Sequence, residues 1–431
     1  MRSIALFTVF FTAFLITANA HGYVQSLRLS VVAWHIFIPV IPLHLLLAVF
    51  MGYLHKPDRA TVLYYLWWLI FFFVVGMSIV FVDGGNAALA EATRYATFAG
   101  IGLSFLAVVQ SRAFAVAGAL GIASATLVAA GTSFAEFLDP NFTMIVDQLF
   151  EYNAIKEDTI GRSGGLHINP NSNARFMTLG MFVSCFFLQN KFRLVFCVIV
   201  GAAVLTTVSR SGLMTWALAI VMLFALGQFS KDRVHAKFIG FFIVATLGLL
   251  LSTGQIPKLI VALGLDGYMS EAMIERVSTG FFNQEDGSSS VRKALIPLAI
   301  DMYANNPILG AGLGGSRSLG DTELGSHNTV LQIAAEMGTL GLLCYLGLFL
   351  IPLILKSKNG FYFCVLFTFS AMFAHGTMYQ TSLAFIFPVG LVFLSKSDHT
   401  ASQFSKSNPR RRRRRKRTQS NNGNHLPSAN A

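Results

Sequence analysis

Two arginines and one histidine are the side chains in this sequence best suited to bind a phosphate group and to move a proton. Arg210 lies in the stretch TTVSRSG, Arg292 follows a run of serines, and His327 lies in SHNTVLQ. Arginine stays charged, and its planar fork matches phosphate oxygens in a bidentate manner. A histidine imidazole can orient or deprotonate an incoming hydroxyl. Together the three residues predict a site for a diphosphate-bearing substrate.

A glycine-rich stretch, NNPILGAGLGG at residues 305–315, precedes the histidine. It predicts a turn in which the backbone N–H groups of Gly312 and Gly314 approach a ligand, and His327 with Asn328 then opens a helix. An anion suits such a place because free N–H groups and the helix dipole point toward it.

Each of these features also has a simpler interpretation. Arg210 lies at the edge of two apolar stretches, where an arginine extends readily to an interface. Arg292 taken alone is an ordinary surface charge, a lone histidine is more often a structural hydrogen-bonding residue, and glycines alone form flexible turns. Arg317 and Glu336 are further polar candidates that the sequence does not rank.

The elements that position these residues are apolar helices. The chain has 431 residues, of which 54% are hydrophobic and 12% charged, with a mean hydropathy of +0.60. Soluble proteins carry about 25% charged residues. The sequence therefore predicts an all-α polytopic membrane protein of about twelve transmembrane helices. In lipid a helix satisfies its own backbone hydrogen bonds, and the sequence lacks the alternating strands of a membrane barrel.

The predicted spans lie at roughly 3–20, 31–54, 60–82, 93–111, 113–131, 175–190, 192–208, 211–229, 237–254, 328–355, 361–376 and 378–395. The first resembles a signal peptide with a small-residue cleavage site, and we favour a retained helix. The last two are short enough to form a hairpin that does not fully cross.

The spans divide the chain into six parts. N-terminal helices (1–131), central helices (175–254) and C-terminal helices (328–395) are separated by two long polar loops, 132–174 and 255–327, and followed by a basic tail, 396–431. Loops of this length are usually functional or disordered. An apolar period from Ser289 to Tyr303 predicts that part of the second loop folds against the membrane surface.

Charge is distributed unevenly between the two predicted sides. Most lysines and arginines, including the arginine run of the tail, fall on one side, and most acidic residues fall on the side of the long loops. By the positive-inside rule, both termini are cytoplasmic and the long loops face outward. The tail is interpreted as a disordered topology anchor held by anionic membrane lipid, since no aromatic residues or fold accompany it to favour nucleic-acid binding.

The sequence also predicts no metal site. The loops contain no clustered histidines or cysteines, and Glu285-Asp286 is the one adjacent acidic pair in the large loop. We interpret this pair as solvated. A divalent ion bound there would instead favour a metal-dependent transfer mechanism.

The NPILGAGLG and HNTVLQIAAEMG stretches, with SRSG around Arg210 and a looser match at GRSGGL and NPN near residue 165, resemble the O-antigen ligase and polymerase superfamily of bacterial envelopes. The resemblance covers roughly residues 160–345, while the first five spans match in hydropathy alone.

This resemblance implies a GT-C-like glycosyltransferase of the bacterial inner membrane that works on the periplasmic side without a metal or other cofactor. It would take a glycan from an undecaprenyl diphosphate-linked donor and pass it to lipid A core or to another repeat unit. Arg210 and Arg292 would hold the diphosphate, and His327 would be the base or a positioning group.

Two other classes of function remain as alternatives. A transporter or flippase of lipid-linked oligosaccharide also has many spans, yet it needs polar or broken helices near the midplane, whereas this sequence concentrates polar residues in one-sided loops. A scaffold that recruits partners through the basic tail would explain the tail but not the loops.

Overall fold

The described part of the protein is entirely helical. The structure, a computed structural model, describes residues 2–20, 39–51, 57–82, 85–109, 111–139, 142, 163–167, 169–229, 287–318, 327–374 and 376–395. The helices are α1 (Arg2–Thr17), α2 (Val40–Phe50), α3 (Arg59–Phe81), α4 (Gly85–Val108), α5 (Arg112–Leu138), α6 (Pro170–Cys185), α7 (Asn190–Thr206), α8 (Arg210–Ala225), α9 (Gly287–Asn305), α10 (Thr329–Leu346) and α11 (Lys358–Ala371). No strand occurs in these residues.

Three helical stretches in the described part are long and apolar enough to cross a membrane. They are Arg59–Phe81, Arg112–Leu138, and Thr329–Ile354, in which α10 continues through a short 3-10 turn. Leu69, Phe73 and Val80 on α3 are 68%, 68% and 75% exposed. Because these apolar side chains recur on one helical face, they form a surface suited to lipid.

Polar side chains begin several of the helices. Asp58 caps α3, Asn169 caps α6 with Pro170 in the first helical position, and Ser357 caps α11. A side-chain oxygen at this position accepts a hydrogen bond from an otherwise unpaired backbone N–H. These caps explain why apolar sequence divides into separate helices at these points.

Two helices, α4 and α5, are longer than the spans predicted from hydropathy. The span predicted at 93–111 is α4, which begins at Gly85, and the span predicted at 113–131 is α5, which continues to Leu138. The added turns of α4 contain Glu91, which is buried and paired with Arg94 at 2.7 Å. Hydropathy misses these turns because their charges are satisfied within the protein. The predicted span 237–254 lies outside the described residues.

The last predicted span, 378–395, is not a continuous α-helix. Two 3-10 turns, Thr377–Tyr379 and Thr381–Leu383, lead into a short helix, Ile386–Pro388, and a π turn, Val389–Phe393. We call the described residues 372–374 and 376–393 the broken segment. Irregular backbone inside an apolar protein persists where it is buried in protein or lines a polar cavity.

The helices α6, α8 and α10 all begin at the same end of the bundle, which we call the polar end. The Ser209 hydroxyl before α8 donates to Asn171 Oδ1 in α6 at 2.8 Å. Described basic residues gather at helix termini of the opposite end: Arg2, Arg59, Arg112, Lys191, Arg193, Lys356 and Lys358. The topology that the charge pattern indicates across a membrane stays a prediction.

Candidate active site

His327 immediately precedes the start of α10. The Asn328 side-chain oxygen accepts from the backbone N–H groups of Val330 and Leu331 at 3.0 and 3.1 Å, so Asn328 is the N-cap of this helix. His327 is half-buried and has a φ of +49°, in the left-handed region that few non-glycine residues adopt. The Asn328 cap holds the histidine at the polar end.

Arg210 is the first residue of α8 and is half-buried. Ser209 caps the helix by accepting from Gly212 N at 3.1 Å. Val208, two residues before the arginine, has a φ of +48°. For a β-branched residue this is a genuine outlier, so the short connection between α7 and α8 is tightly constrained.

The start of α8 lies directly against α6. A Cβ added at Gly212 would lie 2.4 Å from the Ala174 Cβ, so the two helices are as close as a glycine allows. Small residues permit such close approach between membrane helices. With the Ser209 to Asn171 hydrogen bond, this contact fixes the position of the start of α8, and therefore of the Arg210 backbone, against α6.

The same helix α6 also reaches the start of α10. Arg175 Nη1 donates to Thr377 Oγ1 at 3.2 Å and to Gln380 Oε1 at 3.0 Å, both in the broken segment. The Thr377 hydroxyl in turn lies 3.1 Å from Thr329 Oγ1, at the first residue of α10. The neighbourhoods of Arg210 and His327 are therefore joined through α6, about one helical turn apart along it.

A buried polar cluster lies one to two turns deeper along α10. Glu336 is fully buried, and its Oε1 accepts from the Ser316 hydroxyl and, at 3.2 Å, from Gln332 Nε2. Gln332 Oε1 accepts from Gly376 N at 3.0 Å, which ties α10 to the broken segment. Within the described part, Glu336 Oε2 has no hydrogen-bond partner. Glu336 therefore lies inside the bundle and binds the 3-10 turn Gly315–Ser318 through Ser316.

The two glycine-containing motifs contact each other. Inside α10, Gly338 has φ +63° and ψ −158°, which interrupts the helix. The glycine-rich turn fills this interruption: Ala311 N donates to Ala335 O at 2.9 Å and Gly312 N donates to Glu336 O at 3.1 Å. The N–H groups of Ala311 and Gly312 are thus used within the protein, and anion binding by the rest of the turn stays a prediction. The backbone of Gly314 faces the Glu336 carboxyl.

For two of the predicted residues, the structure describes the backbone but not the side chain. Arg292 lies in the second turn of α9, and Arg317 lies in the 3-10 turn Gly315–Ser318; both side chains are outside the described part. Glu285 and Asp286 are also outside it. Among the described residues, no three histidine, cysteine, aspartate or glutamate side chains gather as a metal site would require.

Sequence reasoning missed Arg175. The predicted sixth span began at Arg175, which was given no role, whereas α6 begins five residues earlier and buries this side chain to 8% exposure. The available signal was an ionisable residue followed directly by an apolar run, which is itself a functional indication in a membrane helix.

The fold and site together define a helical membrane protein with a constrained polar site at one end of its bundle. Residues 195–346 match the family model described as O-Antigen ligase. The match contains Arg210, Arg292 and His327, and it supports the resemblance of the motifs to the O-antigen ligase and polymerase superfamily. It indicates glycosyltransferase activity of this type in surface polysaccharide biosynthesis. No curated protein matches the chain in sequence.

Proposed function

We propose that the protein transfers a glycan from an undecaprenyl diphosphate-linked donor to an acceptor sugar at the membrane surface. The observation that carries this proposal is the connection through α6. One hydrogen bond ties it to the residue before Arg210, and Arg175 with Thr377 ties it to the helix that His327 opens. A cation and a proton-transfer group held at one end of a bundle suit a lipid-borne diphosphate leaving group.

Each predicted residue has a role in this proposal. Arg210 and Arg292 hold the diphosphate, because a guanidinium matches phosphate oxygens and stays charged. His327 orients or deprotonates the acceptor hydroxyl. Asn328 supports it by capping α10, and Glu336 supports it by holding Ser316, next to Arg317. Gly312 acts through its contact with the α10 carbonyl, and Gly314 through its position facing Glu336.

The same proposal assigns the two ends of the bundle. The described basic residues at the end opposite the site match the cytoplasmic side of the positive-inside rule. The polar end would then face the periplasm of a bacterial inner membrane, with both termini cytoplasmic. The acceptor is lipid A core if the protein is a ligase and another repeat unit if it is a polymerase.

A strain that lacks this protein tests the proposal. Its lipopolysaccharide would show no polymer on lipid A, with carrier-linked polymer accumulating, for a ligase, or core capped with a single repeat unit for a polymerase. Expression of the full chain should restore the original banding pattern. Unchanged lipopolysaccharide and unchanged surface polysaccharide in the deletion strain would contradict the proposal.

Transport of a lipid-linked oligosaccharide remains a second candidate, because specific observations favour it. The interruption of α10 at Gly338 and the broken segment place irregular backbone beside buried polar side chains. Broken helices of this kind are typical of transporters. Purified protein in liposomes separates the two: transfer to an added acceptor by protein and donor alone supports glycosyltransferase activity, and donor movement between leaflets without transfer supports transport.

A further inference from the structure

Arg175 is a buried cation that has no acidic partner among the described residues. It is 8% exposed, and its two hydrogen bonds go to neutral oxygens of Thr377 and Gln380. Both hydrogen bonds come from Nη1, so Nε and Nη2 have no acceptor among the described residues. No described carboxylate forms an ion pair with it. A charge removed from water without a counter-charge costs several kcal/mol, so such residues are rare unless they serve a ligand.

Arg193 shows what a structural arginine looks like in the same bundle. At the opposite end, its Nε donates to Leu188 O at 3.0 Å, and its Nη1 donates to Gln228 O and Gln228 Oε1 at 2.9 and 2.8 Å. Two of these acceptors are backbone carbonyls near the ends of helices, where positive charge is favourable. Arg175 instead donates to two side chains of the broken segment and caps no helix.

The position of Arg175 fits a ligand shared with the predicted site. It lies on α6 four residues after Asn171, which bonds the residue before Arg210, and it contacts Thr377, which bonds the first residue of α10. Residues four apart lie on one face of a helix. The broken segment that accepts its hydrogen bonds has irregular backbone, which persists inside an apolar protein where other protein or a polar cavity surrounds it.

We propose that Arg175 is a third anion-binding residue of this site and contacts a phosphate oxygen of a lipid-borne substrate between Arg210 and His327. The inference rests on the proposed function. The diphosphate of the donor and a phosphate on a lipid acceptor share this chemistry, and the experiment distinguishes them. Thr377 and Gln380 hold the guanidinium in place when no substrate is bound.

The test is steady-state kinetics of the full chain in liposomes, with Arg175→Met and with Arg193→Met as the matched control. The lipid-linked donor is titrated at fixed acceptor, and then the acceptor at fixed donor. Loss of a charged hydrogen bond should raise the KM of the substrate that carries the phosphate by about tenfold or more. Arg193→Met should leave both KM values unchanged. A rise for the donor identifies the diphosphate, and a rise for the acceptor identifies its phosphate.

A second measurement does not depend on transfer. Inorganic diphosphate should stabilise the detergent-solubilised wild-type chain against heating by mass action, and Arg175→Met should shift the half-saturating concentration about tenfold upward. Arg175→Gln, which removes the charge but keeps a hydrogen-bonding side chain, should behave likewise if the methionine variant does not fold, while Arg175→Lys should recover part of the binding.

The outcomes separate this inference from the proposed function. If wild-type protein transfers glycan and Arg175→Gln retains wild-type KM values for both substrates, the inference is overturned and the proposed function stands. If wild-type protein binds inorganic diphosphate through Arg175 but transfers no glycan, the anion site stands and the proposed function fails.

Discussion

Backbone strain lies at or near two of the three residues from which the site was predicted. His327 has φ +49°, and Val208, two residues before Arg210, has φ +48°. Such conformations cost roughly 1–3 kcal/mol each and persist where surrounding contacts enforce them. Here the enforcing contacts are the Asn328 cap and the Ser209 to Asn171 hydrogen bond. Side chains held in this way are preorganised for a single geometry.

Replacing His327 with alanine should abolish surface glycan while the protein remains in the membrane at a normal level. Loss of general acid-base assistance alone reduces rates by about 100-fold or more. His327→Gln separates the two roles: substantial remaining activity indicates a positioning hydrogen bond, and its loss indicates proton transfer. The measurement is lipopolysaccharide banding with immunoblotting of membranes. Full-length glycan in the alanine variant would refute a catalytic role.

Replacing Arg210 with lysine should reduce transfer by about tenfold or more, because a lysine cannot form the bidentate contact with phosphate. An arginine that merely extends to the membrane interface would tolerate this change. Arg193→Lys at the opposite end is the control and should remain active. The comparison is made as initial transfer rates in membranes of equal protein content. Equal rates for Arg210→Lys and wild type would show that Arg210 makes no such contact.

At the scale of elements, the packing of the glycine-rich turn into α10 is the contact on which the site most depends. A Cβ at Gly338 would lie 2.3 Å from Ile308 O, and one at Gly310 would lie 2.3 Å from the carbonyl carbon of Glu336. The two backbones thus meet where neither tolerates a side chain. This contact joins the C-terminal end of α9 to α10. Arg292 lies in the second turn of α9, and His327 lies just before α10.

Gly338→Ala should therefore destabilise the protein by about 1 kcal/mol or more from its positive φ alone, with the backbone clash in addition. Gly347→Ala, in the same stretch, is the control, because its Cβ would meet Trp67 at an ordinary 3.6 Å. The melting temperature of the solubilised full chain measures the difference. A Gly338→Ala protein that melts with the wild type would show that α10 does not need this interruption.

The elements also show how far hydropathy predicts structure. It located the helices because lipid-facing residues such as Leu69 and Phe73 must be apolar. It misplaced the starts of α4 and α6 because Glu91 and Arg175 are buried in the protein, where Glu91 pairs with Arg94 and Arg175 donates to neutral oxygens of the broken segment. The partners of Arg175 lie 202 and 205 residues away along the chain, so no window contains them.

At the scale of the whole molecule, the tail should be separable from the chemistry. Deleting residues 406–431 should leave the transfer rate unchanged, because the positive-inside rule puts this segment on the side opposite the site. Deleting 418–431, which keeps the arginine run, is the control for loss of length. Activity is measured in membranes with equal amounts of inserted protein. A large loss confined to the longer deletion would contradict the proposed topology.

The sequence by itself predicted the membrane class, the helical fold, the resemblance to the O-antigen ligase and polymerase superfamily, and a phosphate site at Arg210, Arg292 and His327. These follow from composition, apolar length and local motifs, which are properties of neighbouring residues. Only the tertiary structure decided that the glycine-rich turn fills the interruption at Gly338 and that α6 joins the surroundings of Arg210 and His327. It also decided that Arg175 is buried between them. These features depend on contacts between residues far apart in the chain, and burial of a charge is set by which helices surround it.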